Sequence, residues 1–171
     1  MKSQSARVDR ARDPLAKGLE GRAKGLLRVA LAALARRDYG RVELERKLRR
    51  ELPSTEHDGA IAQVLDRLRA KGLLSDERMA EGFVRTRSSR YGRLRIQQEL
   101  QRRGLDRATI TDALGLAPDE YAVALALWRR KFGRTPGTMR ERARQGRYLA
   151  ARGFAPELIA RILRTASVAD E

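Results

Sequence analysis

The chain has 171 residues, a formal net charge of +16, and 42% hydrophobic but only 5% aromatic residues. It has no cysteine, which excludes disulfides and thiolate chemistry, and its apolar runs, such as Val29 to Ala35, fall well short of the roughly 20 residues that span a bilayer. Residues 1–5 lack the apolar stretch of a signal peptide, so a cytoplasmic protein with no membrane attachment is expected.

In chain order, residues 1–22 mix charges with Ser, Ala, Pro14 and Gly18 and read as a flexible basic arm. From Leu26 the pattern turns helical, with Leu27, Leu31 and Leu34 on one face. That helix should stop near Asp38-Tyr39-Gly40. A second carries Val42, Leu44 and Leu48 and ends before Pro53. After the polar loop Ser54–Gly59, a third helix turns Ile61, Val64, Leu65 and Leu68 inward and closes at Gly72, a left-handed position.

Ser75 caps the next helix, acids fill its first turn, and Met79, Phe83 and Val84 face inward. The following helix carries Leu94, Ile96 and Leu100 up to Gly104. Another starts near Asp106, with Ile110, Ala113 and Leu114 inward, and ends at Gly115. A last group opens at Pro118-Asp119-Glu120, with Tyr121, Leu125, Trp128 and Phe132 on one face. Beyond Pro136-Gly137 come Met139, Ala143 and Leu149, a turn at Gly153, and a final helix with Leu158, Ile159, Ile162 and Leu163. No segment alternates over a strand length. The expected fold is all-α: about nine helices in three tandem three-helix units, elongated as stacked repeats are. The units run over 23–74, 75–116 and 117–166, leaving 167–171 as a tail.

The units share a phrase: Tyr39-Gly40-Arg41, Tyr91-Gly92-Arg93 and Phe132-Gly133-Arg134. Val42, Leu44 and Leu48 keep the register of Leu94, Ile96 and Leu100, and Arg152-Gly153-Phe154 echoes Arg103-Gly104-Leu105. Such internal periodicity marks stacked supersecondary units. Units this small must pack on a neighbour to bury enough surface. Hinges near Gly72 and Leu116 would let units exchange between chains, so a monomer is expected and a domain-swapped dimer is compatible with it.

Positive charge recurs at one place in each unit, the end of the first helix: Arg36 and Arg37, Arg87 and Arg90, then Arg129, Arg130 and Lys131. Arg41, Arg93 and Arg134 add a cation after each glycine, and Arg140, Arg144 and Arg147 form a stripe on the middle helix of the third unit. Arginine, 32 of the 38 basic residues, suits bidentate contacts to phosphate or carboxylate. Charge spread along the whole chain favours an extended polyanion or an acidic protein surface over a single anionic pocket. Tyr39, Tyr91 and Phe132 could stack on bases, but at helix junctions they are expected to close the core.

Catalytic chemistry is missing from this pattern. The single histidine, His57, stands in a polar loop with no second imidazole or thiolate to share a metal. No phosphate-binding loop is present, and Asp66, Asp76, Glu77, Glu81, Glu99 and Asp112 alternate with arginines instead of clustering for divalent ions. Neither a catalytic residue, a cofactor, a metal nor a small-molecule ligand is expected.

Three stretches resemble the bacterial RecX family: Lys71 to Arg85, Tyr91 to Leu105, and Ala143 to Phe154. The match in the middle unit rests on Gly92, Arg95, Gln98, Glu99, Arg103 and Gly104, whereas the first unit departs through a longer, proline-containing turn at Leu52–Gly59. The resemblance implies tandem three-helix units without catalysis. It also implies a regulator that binds the RecA recombinase filament on single-stranded DNA, restrains its ATPase and strand exchange, and can contact single- or double-stranded DNA itself. The alternative is a stand-alone helix-turn-helix-like DNA-binding protein, though no helix shows the Asn/Gln/Arg spacing of base readout.

Overall fold

The structure, a computed structural model, describes residues 14–51 and 58–168. Among them are nine helices and no strand: α1 (Pro14–Leu34), α2 (Arg41–Glu51), α3 (Asp58–Ala70), α4 (Asp76–Arg87), α5 (Arg93–Arg102), α6 (Arg107–Gly115), α7 (Glu120–Lys131), α8 (Met139–Ala150) and α9 (Pro156–Val168). His57 and the loop before α3 lie outside the described residues, as does the arm up to residue 13. The rest of the expected arm, 14–22, belongs to α1. Pro14 at the first helical position has the right φ and lacks an N–H that would find no partner there, so the helix can begin well before its apolar face does.

The chain divides into two compact units, the first ending at Asp76 and the second beginning at Glu77. In the first, Leu26, Ala30 and Ala33 of α1 pack with Leu44 and Leu48 of α2 and with Ile61, Val64, Leu65 and Leu68 of α3. This is one residue out of phase with the face expected from Leu27, Leu31 and Leu34, and Leu31 is 41% exposed. Two alanines on the inner line let neighbouring helices approach closely, so helix packing is decided by shape where leucine counting points elsewhere.

The second unit holds two clusters. Met79, Ala80 and Val84 of α4 join Ile96 and Leu100 of α5 and Ile110, Ala113 and Leu114 of α6. Ala124, Leu127 and Trp128 of α7 join Leu149 of α8, Phe154, and Ile159, Ile162 and Leu163 of α9. Each fully buried leucine or isoleucine of these sets contributes about 1.5–3 kcal/mol through lost water contact. Leu94, Met139 and Ala143, expected inside, are exposed. Leu94 and Met139 each fall in the first turn of their helix, 45% and 81% exposed, and Gln145 takes the inward place expected of Ala143.

The two clusters of the second unit are joined backbone to backbone. The Gly92 N–H donates to Arg152 O at 2.9 Å, and the Leu94 N–H to Gly153 O at 3.2 Å. The Arg93 N–H donates to Glu120 Oε1 at 2.8 Å. These amides open α5 and have no partner inside the helix, so the α7 start and the α8–α9 turn cap it from outside. The approach leaves no room for side chains. A Cβ on Gly92 would stand 2.6 Å from Phe154 N, and one on Gly153, whose φ is +81°, would stand 2.6 Å from Arg95 N.

The third group closes its middle helix differently. Thr138 accepts from the Glu141 N–H at 3.2 Å, and Glu141 Oε2 accepts from the Gly137 N–H at 2.9 Å. This reciprocal pair satisfies the start of α8 with its own residues.

Gly153→Ala is expected to lower stability by about 3 kcal/mol, through overpacking and a strained φ together. Gly115→Ala, with nothing within 4 Å of its Cβ, should be neutral or stabilising by about 0.5 kcal/mol. Urea midpoints of the two variants check this, and equal shifts would contradict the close joint. A second expectation concerns Asp106, the α6 N-cap, which accepts from the Thr109 N–H at 2.9 Å and from its hydroxyl. Those bonds, the backbone one foremost, hold its carboxyl below the ordinary aspartate range. Its stabilising contribution is therefore present above that range and lost as pH falls through the lowered value. In acid denaturation, Asp106→Asn should flatten the pH dependence of the midpoint below about pH 4 while keeping the cap acceptor.

Candidate anion-binding surface

Whether a cation is available to a partner depends on which acids already face it. At the first aromatic-glycine-arginine phrase, Arg37 makes two hydrogen bonds to Glu43, at 3.0 and 2.9 Å, and lies 3.6 Å over the Tyr39 ring. The Glu43 carboxylate raises the Arg37 pKa further and fixes the guanidinium against α2. Arg41 pairs with Asp66 at 2.7 Å, and its N–H donates to Asp76 Oδ1 at 2.7 Å. Arg36 is exposed. The first cluster is thus largely neutralised where it stands.

The second phrase follows the same rule. Arg87 sits over Phe83 and Tyr91, at 5.3 and 5.6 Å, and 4.0 Å from Glu99. Arg95 covers Tyr91 at 4.2 Å and pairs with Glu99 at 3.1 Å. Arg93 has Glu120 at 3.9 Å, and Arg90 is exposed.

The third phrase breaks the rule. Arg129, Arg130 and Lys131 fill the last turn of α7, all three are exposed, and none meets an acid among the described residues. Arg140 and Arg147 on α8 are likewise exposed without an acid. Arg144 lies 5.7 Å over the Phe132 ring, which brings the α8 stripe to the end of α7. Arg134 is 79% exposed, and its Glu141 neighbour is 3.6 Å away. The third group therefore gathers exposed cations without acid partners onto two helices that pack together, α7 and α8.

The aromatic residues of the phrase are half-buried, with arginines stacked on them, as expected of residues closing a core. The same packing recurs outside it: Arg152 lies 3.7 Å over Tyr148, and Arg161 4.2 Å over Tyr121. Two features were not evident from sequence. Asp76 and Glu120 reach back to the arginine N–H of the phrase, a contact across 35 and 27 residues that no local pattern shows. Gln145 is 2% exposed in the middle of the basic stripe. Its spacing of four from buried Leu149 was the available signal. Among the described residues no group of His, Cys, Asp or Glu could hold a metal, and no helix is long and apolar enough to cross a membrane.

Family models for the RecX second and third three-helix domains match residues 75–114 and 118–163. The regulatory protein RecX of Pseudomonas entomophila (strain L48) is 49% identical over 140 residues, covering 80% of this chain and 88% of that protein. That of Pseudomonas fluorescens (strain SBW25) is 49% identical over 139 residues, with the same coverage. The crystal structure of RecX from Lactobacillus salivarius superposes with a TM-score of 0.74 at 22% identity, over 87% of this chain and 99% of that one. A second crystal structure of a regulatory protein RecX gives 0.68 at 23% identity, over 82% and 72%. Near-half identity over four fifths of the chain, with the matched helices in the same order, establishes that this chain belongs to the RecX family of regulatory proteins.

Proposed function

We propose that this chain is a non-enzymatic regulator that binds the RecA recombinase filament on single-stranded DNA in the cytoplasm and restrains its ATPase, strand exchange and recombination. The observation that carries the reading is the set Arg129, Arg130 and Lys131, all exposed and none meeting an acid among the described residues, beside the equally acid-free Arg140 and Arg147 on the helix packed against theirs. A DNA filament offers phosphates at regular spacing, and arginine forks on a helical frame match them better than they match a compact anion. The family to which the chain belongs is one of regulators, in keeping with a surface that binds and does not react.

Titration into the single-stranded-DNA-dependent ATPase of RecA at near-physiological salt tests the reading. Inhibition is expected well below the concentration that coats naked DNA. Inhibition only at coating concentrations would reduce the chain to a stand-alone DNA-binding protein. Reversal of Arg129, Arg130 and Lys131 to Glu should raise the half-inhibitory concentration by about tenfold or more, because phosphate neutralisation is lost at adjacent positions. Reversal of Arg7, Arg10 and Arg12 should change it by less than about threefold, and equal effects would contradict a structured binding face.

A further inference from the structure

The three cationic segments of the third group converge on one buried amide. The Trp128 indole N–H donates to Gln145 Oε1 at 2.7 Å, and Gln145 Nε2 donates to Arg134 O at 3.3 Å. Trp128 precedes Arg129, Arg130 and Lys131 directly. Arg134 lies in the connection to α8, and Gln145 follows Arg144 and precedes Arg147 by two residues. Trp128 and Gln145 are 4% and 2% exposed. A buried amide is tolerated only when its polar atoms are paired, and here the pairing selects one arrangement of α7, its following loop and α8.

We propose that Gln145 is the positioning residue of the cationic surface: it holds α7, the Arg134 loop and α8 in the one register that lets their arginines meet several phosphates of single-stranded DNA at once. This rests on reading that surface as a polyanion site. Gln145 carries no charge and is shielded from solvent, so it touches no phosphate. Its effect is on how many cations can be engaged together, the pre-organisation that separates a binding surface from a collection of charges.

The test is the salt dependence of full-chain binding to a fluorescent oligo(dT), comparing wild type with Gln145→Met. Methionine keeps the length and loses both hydrogen bonds, and no charge changes. The slope of log K against log salt is expected to shrink by about 0.7–1.4, one or two single-strand phosphate contacts, although every arginine is still present. In a background of Arg129→Ser, Arg130→Ser and Lys131→Ser, the same change should cost less than about twofold further, since the α7 cations that it registers against the α8 stripe are gone. An unchanged slope at equal helical content by circular dichroism would overturn the proposal. So would the same loss in both backgrounds, which is what a merely structural role predicts. If Gln145→Met does not fold, Trp128→Phe removes the indole N–H from the other side and is expected to shrink the slope likewise; an unchanged slope there overturns the proposal too. A wild type with no salt-dependent binding would remove the polyanion reading and this proposal together, and that outcome is distinct because it appears before any substitution is made.

Discussion

A helix begins with amides that its own backbone cannot satisfy, and the second unit is organised around one such beginning. Gly92, Arg93 and Leu94 direct their N–H groups at Arg152 O, Glu120 and Gly153 O. The contact exists only because two glycines bring the chains to backbone distance. The two apolar clusters on either side are individually small. The joint makes the α7–α9 group a condition for the good order of α5, so that six helices act as one body instead of two marginal ones.

The joint also decides where charge goes. Glu120 is held by the Arg93 amide and stands near its guanidinium, and Glu99 is shared between Arg87 and Arg95. An exposed ion pair of this kind contributes little to stability. Its larger effect is to subtract cations from the outside of the molecule. Three glutamates on α2 and the single Glu99 on α5 serve this purpose, whereas the single acid of α8, Glu141, is occupied with the start of its own helix.

Much of this was legible beforehand. The order of the helices, the turns at Gly72, Gly104 and Gly153, and the inward Trp128 follow from spacing, capping and glycine placement, because these are local rules. The inner face of α1 was not, since Leu27 and Leu31 outweigh Ala30 and Ala33 in any count of apolar bulk, while packing rewards the smaller pair. Met139 misled for the opposite reason: it has the right spacing, but it opens α8 and is left largely exposed there. At the surface, the basic residues could be found but not ranked. Ranking needs the acids that face each one, and partners such as Asp66 for Arg41 arrive from a different helix.

The self-closed start of α8 has one more result. Where α5 leaves amides for another segment to complete, α8 has Thr138 and Glu141 in place, and Gly133, with φ +69°, bends its phrase away from the form that Gly92 takes. There the Glu141 amide is met by the cap residue itself and not by a distant turn. The two helix starts therefore differ in what keeps them wound: loosening the joint would fray α5 from its first turn, whereas α8 keeps its cap as long as its own residues stay in place.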